Sequence, residues 1–276
     1  MNSPTWTDPS VETDLHRERQ MERRTTTKRL SLGLWLSMGI GWLACAGSLP
    51  AQQPVDLGEV IDQAIQAAGG AEKLSRLTAQ TWRAKMKIHE AGQLRTVDAR
   101  YAVQWPDKLR SDVMGSYTMV RNGDEGWLSQ GKTLQDLTTD QLLFLKEDMH
   151  VNWLRTLAPL RAKGIRYQSV PPIEVDGRET VGVRVSSSGH RDVVFLFDKE
   201  THDVVKTETR SRGLGDAGEL ANIESFYSKF EKVAGTRVPT RVRIVRDGEL
   251  FMEIEISDIQ RSEKLDPQLF TRPKPE

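Results

Sequence analysis

The chain has 276 residues, and its 39 basic and 39 acidic side chains give a formal net charge of zero. No strongly basic face follows from that balance, which argues against nucleic acid as a partner. The one cysteine, Cys45, excludes a disulfide framework and a cysteine-based metal site in the body of the chain.

Residues 1–20 are polar and without pattern. A basic cluster, Met21-Glu-Arg-Arg-Thr-Thr-Thr-Lys-Arg29, precedes an uncharged apolar stretch from Leu30 to Leu49, and small residues follow at Cys45, Ala46, Gly47, Ser48 and Ala51. That order is the one a secretory signal uses, so residues 1–51 are expected to form an N-terminal extension and export signal, and residues 52–276 the folded domain. Met21 fits the start of such a signal better than Met1 does. The extension holds six basic and five acidic residues, leaving 33 basic against 34 acidic in the domain. Three fates remain open. Cleavage after Ser48 or Ala51 would release a soluble protein. Retention would leave a membrane anchor, since about 20 apolar residues can span a bilayer. Lipidation at Cys45 is the third, although Trp42-Leu43-Ala44 places its leucine one position too close to the cysteine.

In the domain, Asp56 can cap a helix whose apolar residues Val60, Ala64, Ile65 and Ala67 recur with helical spacing, and Gly69-Gly70 ends it. Ala71–Leu77 suits a second, short helical turn. Alternation then takes over. Trp82, Ala84, Met86 and Ile88 share one strand face, and Val97, Ala99, Tyr101, Val103 and Trp105 share one face of the next. Strands at Lys108–Val113 and Tyr117–Val120 extend the meander, and Asn122-Gly123-Asp124 is a hairpin turn before Gly126-Trp127-Leu128.

The period changes at Thr138. One or two helices are expected between Thr138 and Leu157, with Leu142, Leu143, Phe144, Leu145, Met149, Val151, Trp153, Leu154 and Leu157 too many for one narrow stripe. Such helices are buried on more than one side, or they cover something apolar. Strands resume near 165–170, 180–186, 192–197, 204–210, 220–230, 237–245 and 250–259, separated by explicit turns. The expected class is α+β: a large, strongly curved antiparallel sheet, a half-barrel of about eleven strands, covered by the N-terminal helix and the helical insertion.

Catalytic patterns are lacking. His16, His89, His150, His190 and His202 form no metal-binding spacing and read as surface or turn histidines. His190 follows the serines Ser186–Ser188, yet no GxSxG elbow accompanies them. Gly213-Leu-Gly215 lacks the rest of a phosphate-binding loop. Glu253 and Glu255 read as a solvated strand face beside Arg241 and Arg243. No catalytic residue, metal or cofactor is therefore expected.

Several segments resemble the LolA-like family of outer-membrane lipoprotein-sorting proteins, in its planctomycete-type form. They are Ala67-Ala-Gly-Gly-Ala-Glu-Lys-Leu74, Trp105-Pro-Asp-Lys-Leu-Arg110, Asn122-Gly-Asp-Glu-Gly-Trp127, Gly189-His-Arg-Asp192 with Phe197-Asp-Lys-Glu-Thr201, and Val238-Pro-Thr-Arg-Val242. The resemblance runs from about residue 57 to 271 and rests on strand-and-turn patterns. It implies a half-open barrel closed by helices, a periplasmic location, and acyl chains of lipoproteins or lipids as ligand. A monomer handing cargo to or from a receptor in the inner or outer membrane is the corresponding expectation. An envelope sensor or scaffold with the same fold, and no transport role, is the alternative. Trp82, Met86, Tyr101, Trp105, Trp127, Leu143, Phe144 and Trp153 are the candidate cavity residues; ordinary core is the other reading of the same side chains.

Overall fold

The computed structural model describes residues 55–90, 92–212 and 220–273. The expected leader with Cys45, the Gly213–Gly218 turn and the end of the C-terminal tail lie outside those residues. Helix α1 (Leu57–Ala67) starts where expected, because the Asp56 carboxylate accepts the backbone N–H groups of Gly58 (2.8 Å) and Glu59 (3.3 Å). Its helical spacing buries Ile61, Ala64 and Ile65. A short α2 (Ala71–Arg76) follows.

Six strands come next: β1 (Ala79–Glu90), β2 (Gln93–Gln104), β3 (Lys108–Val113), β4 (Tyr117–Asn122), β5 (Glu125–Gln130) and β6 (Thr133–Asp136). The insertion is a single helix, α3 (Thr139–Arg155), with a 3-10 turn at Ala158–Arg161. A capping box starts α3: Gln141 N–H donates to Thr138 Oγ1 (3.3 Å), and the Thr138 N–H donates to Gln141 Oε1 (2.9 Å). Eight more strands follow: β7 (Arg166–Val170), β8 (Glu174–Val175), β9 (Arg178–Ser186), β10 (Val193–Asp198), β11 (Val204–Ser211), β12 (Ala221–Val233), β13 (Thr236–Arg246) and β14 (Glu249–Ser262). A second 3-10 turn, Pro267–Phe270, closes the described chain.

The sheet thus has fourteen strands rather than about eleven. Among the missed strands, β6 has four residues and β8 two, too few for alternation to be read. All pairings are antiparallel, in the order β6-β5-β4-β3-β2-β1-β14-β13-β12-β11-β10-β9-β7, with β8 attached to β9. Strands β1–β6 form one wing and β7–β14 the other. The wings join where β1 pairs with β14, Met86 opposite Ile254 and Ala84 opposite Ile256.

The strand order makes α3 the link between the two edge strands, β6 and β7. A flat row of thirteen strands would measure roughly 58 Å at about 4.8 Å per strand, whereas a helix of 17 residues is about 25 Å long. Yet α3 touches both wings: Leu142, Phe144, Leu145 and Met149 pack on Val103, Leu109 and Met119, and Val151 and Leu154 pack with Val183, Val185 and Phe195. The sheet must curl for one helix to do this. A bulge assists the bend where β14 pairs with β1, at Asp258, whose φ is positive (52°).

Gly126 seats the start of α3. A Cβ there would lie 2.7 Å from the Leu137 side chain, 2.9 Å from the Val120 carbonyl oxygen and 3.0 Å from the Leu142 side chain. Only a residue without Cβ lets this turn and helix press onto β5. The outer face is covered differently: Phe270 and Leu269 from the C-terminal turn pack on Ala102, Val120 and Trp127. The sequence pattern assigned that covering role only to the helices. Among the described residues, no helix is long and apolar enough to cross a membrane.

Candidate functional site

The inner face, under α1 and α3, changes character from wing to wing. In the β7–β14 wing, Val183, Val185, Val193 and Phe195 are fully buried, and Phe195 stacks on Phe197 at 5.9 Å between ring centres. Ile61, Ile65, Leu74, Leu154 and Leu160 close over them. This is a filled core.

In the β1–β6 wing the same face is built from larger, softer and less covered groups. Trp82 stacks on Tyr101 (4.9 Å, 11°), and the Tyr101 hydroxyl donates to Met86 Sδ at 3.5 Å. Burial pushes the Tyr101 phenol pKa upward. Around Met86, Ala84 and Ala99 lie the half-buried Ile88, Val97, Val113, Met252 and Ile254, and this group contains no helix residue. An apolar strip of β1, β2, β3 and β14 is therefore sealed by strand side chains alone, beside the part of the face that α3 covers. Aromatic rings and methionines suit such a surface, because a flexible thioether adapts to irregular apolar shapes.

Five of the eight expected cavity residues meet here: Trp82, Met86, Tyr101, Trp105 and Phe144 pack in this strip or in the adjoining group under α3. Three do not. Trp127 faces outward, buried against Phe270, because neighbouring Leu128 takes the inward place in the alternation of β5. Apolar residues at both 127 and 128 leave that choice unreadable in the sequence. Leu143 is 46% exposed, on a side of α3 that no packed group includes. Trp153 sits edge-on to His150 at 6.1 Å between ring centres.

The histidine expectation needs correcting at His150, while His190 does lie in a turn between strands. His150 is 8% exposed, on α3, and its ring stacks on that of His190 at 3.5 Å and 9°. His190 lies in the loop between β9 and β10. Its Nδ1–H donates to the Glu147 carboxylate at 3.0 Å, and that carboxylate also accepts the Arg191 backbone N–H at 3.2 Å. His150 Nε2 is 2.7 Å from Ser187 Oγ. Four side chains thus tie the end of α3 to the β9–β10 loop. Burial, then the neighbouring His190, lowers the His150 pKa to about 4 against the opposing pull of Glu147. Both rings cannot carry charge cheaply: two unit charges 3.5 Å apart repel by roughly 5 kcal/mol at an effective dielectric constant of about 20. The cluster does not form a proton relay, since the serine is on one imidazole and the carboxylate on the other. Alternation hid it, because Glu147 and His150 come from a helix and His190 from a turn.

Arg121 in β4 was also missed. It follows Met119 on the inner face, is 6% exposed, and donates from Nη1 to Met149 Sδ at 3.2 Å. Burial lowers its pKa.

A pocket of about 630 Å³ opens elsewhere, at the ends of β9–β12. Arg184, Arg191 and Arg210 line it together with Asp192, Glu208 and Glu224, beside the apolar Val194, Leu220 and Ile223. Among the described residues, no group of three or more His, Cys, Asp or Glu is arranged to hold a metal ion.

No family model and no curated protein sequence matches the chain. Solved structures do. A LolA superfamily protein from Nitrosomonas europaea superposes with a TM-score of 0.54 at 11% identity, covering 79% of this chain and 99% of that one. A DUF1329 family protein from Desulfovibrio piger gives 0.55 at 16% identity, covering 78% and 96%. An outer-membrane lipoprotein-sorting protein domain from Vibrio parahaemolyticus gives 0.53 at 12% identity, covering 77% and 94%. At such identities the likeness is one of fold: a large antiparallel sheet wrapped around a few helices, and in that sense this chain has a LolA-like structure.

Proposed function

We propose that this chain is an exported, periplasmic, non-catalytic carrier of acyl chains from lipoproteins or lipids, and that the chain lies on the inner face of the β1–β6 wing. The observation that carries this reading is the contrast between the filled wing and the aromatic, methionine-bearing strip beside it. Trp82, Met86, Tyr101, Trp105 and Phe144 would line the bound chain, with Ile88 and Met252 at its open end. The names of the similar structures, a LolA superfamily protein and a lipoprotein-sorting domain, agree with it.

The mechanism is hydrophobic transfer. Each buried methylene contributes about 0.8 kcal/mol, so ten of them contribute roughly 8 kcal/mol before the cost of ordering chain and protein. That suffices for reversible binding without any reacting group. Handing the chain on would require α3 to shift, and a membrane receptor is the partner that would receive it.

Mass spectrometry of protein purified without detergent tests the reading. The expected result is co-purified lipid, at a level that falls when Trp82 and Met86 are both replaced by Ser. A lipid-free protein that takes up no fluorescent fatty acid would overturn it and leave the sensor or scaffold reading in its place. The same spectrum reads where the leader is cut and whether Cys45 is acylated.

A further inference from the structure

Arg121 is a largely buried cation with no anion within ion-pair distance among the described residues. It is 6% exposed, and a methionine sulfur, a weak acceptor, is its one hydrogen-bond partner among the described residues. Asp107 and Asp124, in the flanking turns, act on it only from beyond ion-pair distance, and burial outweighs them in lowering its pKa. Buried charges normally have a partner, because desolvation is otherwise uncompensated.

A second donor, without any partner, lies two strands away. The indole Nε1–H of Trp105 is buried with no acceptor. Trp105 packs on the group that contains Met149, the residue Arg121 touches. The turn carrying Trp105 abuts the turn after Arg121, since the Gly123 N–H donates to the Asp107 carbonyl at 3.1 Å. Both donors therefore lie beside the group under α3, which adjoins the apolar strip through Trp82 and Tyr101.

We propose that Arg121, with the indole N–H of Trp105, receives the anionic head of an acyl ligand, a fatty carboxylate or a phosphodiester, whose chain lies along the Trp82–Met86–Tyr101 strip. This assignment rests on the acyl-carrier reading and adds to it a direction and a charge for the ligand. A planar guanidinium pairs with two oxygens of either group at once. One cation fits a monoanion, and Asp107 and Asp124 would oppose a dianion. The wall of Leu109, Met119, Phe144 and Met149 gives a free inorganic anion nothing in exchange for its lost hydration. An anion joined to a hydrocarbon chain gains on both counts.

The experiment compares myristate, methyl myristate and inorganic phosphate in displacing a fluorescent fatty acid from the full chain at about pH 8, where the carboxylate is ionised. Wild type is expected to hold myristate at least about tenfold tighter than its methyl ester, the usual effect of a hydrogen bond to a charged group. Arg121→Met keeps the apolar stem, should erase that preference, and should leave the ester within about twofold of wild type. Trp105→Phe should weaken both ligands by a few-fold, because an ester carbonyl also accepts from the indole. Equal affinity of wild type for acid and ester would overturn the assignment without any variant, and so would a preference that survives in Arg121→Met. Displacement by phosphate as effective as by myristate would overturn the acyl-linked head. Failure of every acyl probe to bind would remove the carrier reading itself, a result distinct from binding without preference.

Discussion

The β7–β14 wing encloses Phe195, Phe197 and three valines completely beneath α1 and the end of α3, whereas the β1–β6 wing leaves Trp82, Tyr101, Trp105 and Phe144 half covered. Both wings are antiparallel, and both alternate apolar and polar residues. They differ in what closes them. Small branched side chains and phenylalanines fill space under two helices and leave no freedom. Indoles, a phenol and thioethers cover a wider area with fewer neighbours and can rearrange around an inserted chain. One wing is thus a filled core, and the other carries the softer, half-buried lining on which the proposed acyl site rests.

The largest effect should come from the filled wing. Phe195→Ala is expected to cost about 3–5 kcal/mol, because a fully buried ring leaves a cavity its neighbours cannot close. Tyr101→Phe in the other wing should cost under about 1.5 kcal/mol, since it keeps the ring and removes one hydrogen bond to sulfur. Urea unfolding midpoints decide it; similar losses at the two sites would break the comparison.

Next is the pH dependence of the tie between α3 and the filled wing. The His150 pKa is depressed in the folded state, to about 4, from an ordinary value near 6.5. The unfolded or undocked form therefore binds the proton first. The stabilisation is complete above about pH 6.5 and is lost as pH falls toward about 4, amounting to about 3 kcal/mol in all. Amide exchange along α3, corrected for its intrinsic pH dependence, should show falling protection across that window while the centres of β1 and β14 stay protected. His150→Gln should flatten the profile. A wild-type profile that is already flat would remove this tie from the comparison.

The smallest effect concerns the other end of α3. Thr138→Ala breaks the capping box and should cost about 1 kcal/mol, read as a lower urea midpoint with an unchanged slope. A loss several times larger would mean that the N-terminal end of α3, rather than the histidine end, holds the helix down.

Period-two patterning made most of this legible. The inward faces of β1 and β2 were readable from Trp82 to Ile88 and from Val97 to Trp105, and the two caps, Asp56 and Thr138, were readable as helix starts. Arg241 and Glu255 do pair across β13 and β14, at 2.6 Å, as the strand-face reading expected, while Arg243 turns instead to Asp176 and the ring of Phe226. What stayed hidden depends on long-range assembly. Whether Trp127 or Leu128 points inward is decided by which face the C-terminal turn covers. The stacking of His150 on His190 needs a helix and a loop forty residues apart to meet. Arg121 lay one residue past the expected end of its strand, so its inward face was not counted.

The pairing of β1 with β14 has a consequence in time. Ala79 lies opposite Ser262, near the two extremes of the described chain. Until the last strand arrives, the two wings are separate half-sheets whose central edges, β1 and β13, are open. Contacts so distant in sequence are slow to form, and a chain emerging from a ribosome cannot make them early. The finished sheet therefore forms only once β14 has been made, and until then those two edges are free to pair with other chains.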